Sequence, residues 1–202
     1  MSQSALIVLA ILVVAVVAIA FFVVLRRRRS EHLKQHFGRE YEHALETTGD
    51  RGKAEAELAE REKRVDKLDI RPLDRIEREK FVARWGEVQA RFVDDPPRAV
   101  AFADALLGEV MTARGYPVSD FERRAGDISV DHPAVVDHYR TAHDIAVRHE
   151  RGDAGTEDLR QAMIHYRALF DDLVNEPENF SPVIEHRGGR IHDLRKETTR
   201  RS

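Results

Sequence analysis

Ala5 to Leu25 is an unbroken run of 21 apolar side chains that stops at Arg26-Arg27-Arg28-Arg29. At ~1.5 Å rise per residue the run makes a helix ~31 Å long, matching the ~30 Å hydrocarbon core of a bilayer. The pattern predicts one transmembrane helix over 5–25, followed by a basic juxtamembrane collar over 26–29. After Ser30 the pattern changes to apolar positions at three- and four-residue spacing, the period of helices with one buried face. A first helix is expected from about Ser30 to Thr48, either continuous with the anchor or set off from it, ending at Gly49-Asp50-Arg51-Gly52 because glycine takes a left-handed cap at low cost. Lys53 to Asp69 has Leu58, Val65 and Leu68 as its only sizeable apolar residues and is predicted as an exposed, weakly packed or coiled helix.

Arg71-Pro72 breaks that helix, and Asp74 with Glu77 forms an Asp version of the capping box for the next. Phe81, Trp85, Val88 and Phe92 then lie on one face. Asp94-Asp95-Pro96-Pro97 closes this helix and opens another, which carries Ala99, Ala103, Leu106, Leu107, Val110 and Met111 inward and stops at Gly115. Ser119 with Glu122 predicts a short capped helix over about 120–126. Another is predicted from Pro133 to about Glu150, with Val135, Tyr139, Ala142 and Ala146 in line. Thr156 caps the clearest amphipathic helix, whose inward positions are Leu159, Ala162, Met163, Tyr166, Leu169, Phe170 and Leu173. No stretch alternates at the period of a strand. The fold class is therefore all-α: an N-terminal transmembrane helix followed by a bundle-like soluble domain of about six to seven helices. Charged juxtamembrane helices cover 30–70, a helical core domain 71–174 and a disordered tail 175–202, where the apolar pattern dissolves.

Charge sharpens the address. The four arginines flank one side of the apolar run and Met1-Ser2-Gln3-Ser4 offers no basic residue on the other, so the N-terminus is expected outside and residues 30 onward in the cytoplasm. Ala18-Ile19-Ala20 resembles a signal-peptide cleavage site, but the amino end lacks a basic region and Phe21–Leu25 carries the apolar run past the triplet. These flanks favour a retained anchor. The chain carries a net charge of −3, of which the collar contributes +4, leaving −7 from residue 30 onward. An acidic domain does not fit nucleic acid, whose binding rests on cation clusters. Arg26, Arg27, Arg28 and Arg29 suit the anionic headgroups of a lipid bilayer, at roughly 1 kcal/mol each. The absence of cysteine excludes disulfides, thiolate metal sites and Cys nucleophiles.

Ten histidines call for a test of metal spacing. His32, His36 and His43, on one continuous helix, would fall within roughly 40° of one another, and a His pair at i, i+4 is a known ligand geometry. Leu33, Phe37, Tyr41 and Leu45 claim a different, buried face, so a solvated histidine face is the plainer reading. His143-Asp144 with His132 upstream resembles the ligand dipeptide of helical HD-type phosphohydrolases, but the likeness stops at a dipeptide, and His-Asp recurs at His192-Asp193. No Gly-rich phosphate loop or nucleophile elbow is present in the sequence, and Trp85 belongs to an apolar stripe. No cofactor is expected.

As a set, several segments resemble an uncharacterised family of bacterial single-pass membrane proteins usually labelled only as secreted or membrane proteins. They are the apolar run with its arginines, YEHALETTGDRGKAEAELAEREKRVDKLDIRPL, RWGEVQARFVDDP, EVMTARGYPVSDFERRAGDISVDHP and GTEDLRQAMIHYRALFDDL. The likeness covers roughly residues 5–174. It implies a bacterial membrane anchor and carries over no catalytic residue. The expectation is a single-pass protein of the bacterial inner membrane, its helical domain an interaction or scaffold module for a protein partner, with 53–69 as the candidate surface. The alternatives are a metal-dependent hydrolase using His132, His143 and Asp144, a metal sensor using His32, His36 and His43, and an envelope-facing helical domain.

Overall fold

The computed structural model describes the backbone of residues 3–175 and the side chains of residues 12–175. The regular elements among the described residues are all helices: α1 Gln3–Phe37, α2 Arg39–Thr48, α3 Arg51–Val65, α4 Arg75–Arg91, α5 Pro96–Ala113, α6 Phe121–Asp131, α7 Val136–Glu150 and α8 Thr156–Asn175. The protein is all-α and bundle-like. The expected tail falls outside the described residues except at its first position, Asn175, the last residue of α8.

Local chemistry explains most boundaries. Asp74 accepts a hydrogen bond from the Glu77 N–H while the Glu77 carboxylate accepts one from the Asp74 N–H, completing the capping box that starts α4. Asp50 and Asp95 accept in the same way from the N–H groups of Lys53 and Arg98. Several starts differ from expectation. Thr156, expected as a cap, is the first residue of α8 itself, preceded by Gly155, whose N–H donates to the Asp158 carboxylate. The cap of α6 is Asp120, which accepts from the Arg123 N–H, and the helix runs on to Asp131 because Ile128 and Val130 find buried places. Helix α7 begins at Val136, three residues after Pro133, since His132–Val135 form a turn whose N–H groups bond back to His132 and Ile128.

A large core joins α4, α5, α6, α7 and α8. Phe81, Trp85 and Val88 from α4 are buried, as are all six expected residues of α5 and all seven of α8. Trp85 stacks on Phe170 at 4.6 Å between ring centroids. Helices α7 and α8 form an antiparallel hairpin, in which His138 lies against His165 and His149 against Ala154. The bundle closes against Gly115, which adopts φ 103° and sits so near the Asp69 carbonyl that a Cβ would lie 2.2 Å from its oxygen.

A second, smaller core gathers Leu33 and Phe37 from α1, Tyr41 and Ala44 from α2, Ala54, Leu58 and Val65 from α3, and Val130 from α6. This revises the reading of residues 53–69. Helix α3 is neither exposed nor weakly packed: Ala54, Leu58, Ala59, Arg61 and Val65 are buried. Its buried stripe is built partly from alanines and an arginine, which a count of large apolar residues overlooks. Leu68 and Ile70 touch both cores and link them.

Helix α1 passes through the arginine collar without a break and ends where Gly38 turns the chain at φ 52°. Between Leu12 and Leu25 its apolar side chains are exposed, Phe21 and Phe22 at 64% each. These fourteen residues make ~21 Å of helix at ~1.5 Å per residue. Among the described residues, no helix is long and apolar enough to cross a membrane. The remaining part of the expected span, residues 5–11, lies outside the described side chains.

Candidate functional site

The most elaborated polar construction lies where α1 enters the folded domain. Directly after the exposed Arg26–Arg29 collar, Ser30 is 4% exposed and its hydroxyl donates to the Glu55 carboxylate of α3 at 2.5 Å. The Tyr41 hydroxyl donates to the same carboxylate at 3.0 Å and the Arg51 guanidinium at 2.8 Å, while Arg51 also donates to the Ser30 hydroxyl. Burial would raise the Glu55 carboxyl. The three donors outweigh it and hold the group below its ordinary value. One and two turns further, Leu33 and Phe37 are 1% and 0% exposed. The direction of α1 is thus fixed against α2 and α3 by a hydrogen-bonded lock followed by apolar packing.

A charged layer binds this unit to the larger bundle. Glu40 on α2 is 2% exposed and accepts from Arg61 of α3 at 2.6 Å and from Arg140 of α7 at 2.9 and 3.0 Å. Arg61 also donates to Glu57, and Arg140 to Glu122. Burial pulls the Arg140 guanidinium down, but Glu40 and Glu122 together raise it above the ordinary value, so it stays charged. Beside this centre, Arg64 of α3 donates to Asp127 of α6 at 2.5 and 2.8 Å, and Arg39 of α2 pairs with Asp137 of α7 at 2.9 Å. Gly126 leaves room for Arg61, because a Cβ there would come within 3.3 Å of its Nε. Buried charge therefore joins the two cores, with Val130, Leu68 and Ile70 as the apolar contribution.

The histidine candidates separate. His32 and His36 stack at 5.9 Å between ring centroids, but His43 lies beyond the Gly38 break on α2, so the common face expected of a continuous helix does not form. His32 lies 3.8 Å from Glu62, and His36 packs edge-on against Phe37. His132 is 6% exposed at the end of α6, with its Nδ1 2.5 Å from the Asp172 carboxylate and its Nε2 3.4 Å from Arg114. His143 instead stacks on Phe121 at 3.5 Å between centroids, and Asp144 accepts from Arg148. His132, His143 and Asp144 are accordingly engaged in separate contacts. Among the described residues, no group of three or more His, Asp or Glu side chains is placed to hold a metal ion.

Reading the sequence alone missed the polar groups that matter most here. Nothing in the local spacing around Arg61 or Glu40 announces the buried cluster they form with Arg140. Ser30 and Arg140 carried no local signal, because Ser30 meets Glu55 25 residues away and Arg140 meets Glu40 100 residues away along the chain. Comparison with family models, with curated proteins and with solved structures yields no match.

Proposed function

We propose that the chain is a single-pass membrane protein in which α1 is the anchor and α2–α8 form an interaction or scaffold module held at the inner face of a bacterial plasma membrane. The observation carrying this reading is the path of α1. Its apolar side chains from Leu12 to Leu25 are exposed, yet the same helix continues into the buried Leu33 and Phe37. At ~25 cal/mol per Å2, such an apolar surface is costly in water and favourable in hydrocarbon. Residues 5–11 extend the run in sequence to bilayer length.

The collar of four arginines at the domain end supports a cytoplasmic domain and contact with anionic headgroups. The lock of Ser30, Tyr41 and Arg51 on Glu55 supports a presenting role, since it holds the domain at a fixed angle to the anchor within one turn of the collar. The bacterial setting follows from the resemblance carried by the sequence segments. Carbonate washing of membranes tests the anchor: the full chain stays in the pellet, and a chain lacking residues 1–25 is released. Release of the full chain would sink the proposal. Crosslinking in intact membranes tests the module, with a discrete adduct of the full chain expected and none for the anchor and collar alone.

A further inference from the structure

Helix α4 buries Phe81, Trp85 and Val88 on one face and leaves an apolar face uncovered on the other. Ile76 and Val82 are 72% and 51% exposed, Val93 just past the helix end is 83% exposed, and Ala83, Gly86 and Ala90 are exposed among them. At ~100° per residue, Ile76, Val82, Ala83, Gly86 and Ala90 fall within about 120° of arc. The neighbours of α4 flank this face without covering it: Arg84 pairs with Glu109 of α5 at 2.7 Å on one edge, and Gln89 accepts from Arg167 of α8 at 3.1 Å on the other. We propose that the face is a self-association surface whose occupant is α4 of a second copy of this chain, packed antiparallel.

Charge decides the occupant and the direction. Lys80 and Glu87 are both exposed and lie on the same edge of the face, toward α5. A two-fold axis across the helices brings like edges together. In an antiparallel pair centred near residue 84, Lys80 of each copy therefore meets Glu87 of the other, giving two reciprocal ion pairs. A parallel pair would set Lys80 against Lys80 and Glu87 against Glu87. The antiparallel register also seats Val82 on Gly86, packs Ile76 over Ala90 and Val93, and brings the Gln89 amide N–H to the Glu79 carboxylate. Gly86 supports it independently. It stands mid-helix, where glycine weakens a helix, and a Cβ there would meet nothing within 4 Å in a single copy. The close approach of a second backbone accounts for the missing side chain. The inference does not depend on the anchor, because the face belongs to the folded domain.

The chain contains no cysteine, so single introduced cysteines report the register without background. In the full chain in detergent micelles, Ala83→Cys should crosslink to itself under mild oxidation, because its two copies lie only ~3 Å apart along the pair. Ile76→Cys alone should not, since its copies lie ~24 Å apart, while a mixture of Ile76→Cys and Val93→Cys chains should give the mixed dimer. Adding Lys80→Glu to Ala83→Cys should lower the association constant read from the crosslinked fraction by roughly fivefold, and adding Glu87→Lys as well should restore it. Adding Gly86→Leu should abolish the crosslink with helical circular dichroism unchanged. No crosslink from Ala83→Cys, or one that survives Gly86→Leu, would overturn the assignment and leave the face to a different partner. Self-crosslinking of Ile76→Cys, or a double charge reversal that fails to restore association, would overturn the antiparallel pairing.

Discussion

Replacing Glu40 probes the layer that joins the two cores. The Glu40 side chain is 2% exposed and is shared by Arg61 and Arg140, whose side chains are 10% and 13% exposed. In Glu40→Ala both guanidinium groups lose their common buried counter-charge. Breaking a buried ion pair from one side costs about 3–5 kcal/mol. Arg61 keeps Glu57 and Arg140 keeps Glu122, but those carboxylates are 46% and 73% exposed and compensate weakly. The expected cost is at the lower end, about 3 kcal/mol. With a urea slope of about 2 kcal/mol per M, this lowers the midpoint by about 1.5 M.

The assay is urea unfolding of the full chain in micelles, followed by both helical circular dichroism and the fluorescence of Trp85. Trp85 lies in the larger core, on α4. A variant in which α2 and α3 separate first should lose circular dichroism before Trp85 reports. The triple variant Glu40→Met/Arg61→Met/Arg140→Met should recover stability to the original level or above, because a packed apolar triad escapes the desolvation cost. A midpoint shift below about 0.5 M for Glu40→Ala, or a triple variant as unstable as the single one, would refute the role assigned to buried charge.

Other substitutions test separate parts of the structure. Gly115→Ala should destabilise by about 2–3 kcal/mol in thermal unfolding, because the left-handed backbone and the Asp69 carbonyl leave no room for a Cβ. Glu77→Gln should cost about 1 kcal/mol at pH 7 by loss of the charged cap. The hydrogen bond from Arg71 and the Asp74 N–H lower the Glu77 carboxyl to about 2, so its contribution is full above the ordinary value of 4.5 and fades as pH falls through about 2. The difference between Glu77→Gln and the original chain should shrink over that window in acid titrations. His165, held neutral by burial and by His138, predicts the same sign from a different group. The unfolded chain takes up a proton first as pH drops below 6.5, so stability falls on acidification there, and His165→Gln should flatten that part of the profile.

The amphipathic stripes of α4, α5 and α8 were legible because their packing is written at three- and four-residue spacing within one element. The start of α4 was legible because Asp74 and Glu77 are three residues apart. The α3 face was not, because Ala54, Ala59 and Arg61 occupy it and none of them signals burial by composition. The common face assumed for His32, His36 and His43 failed on one residue, Gly38, whose positive φ breaks the helix between them. Glu40 and Arg140 are 100 residues apart, and His138 and His165 are 27 apart. Such pairs become visible only once α2, α7 and α8 have been brought together.

The central claim, that α1 anchors a domain at the inner membrane face, is tested most directly by paired C-terminal reporter fusions, one active only in the cytoplasm and one only beyond the membrane. The account predicts cytoplasmic signal alone, and inversion of that pattern when Arg26–Arg29 are replaced by neutral residues and basic residues are placed before Ala5. Signal from the exported reporter in the unaltered chain would contradict it.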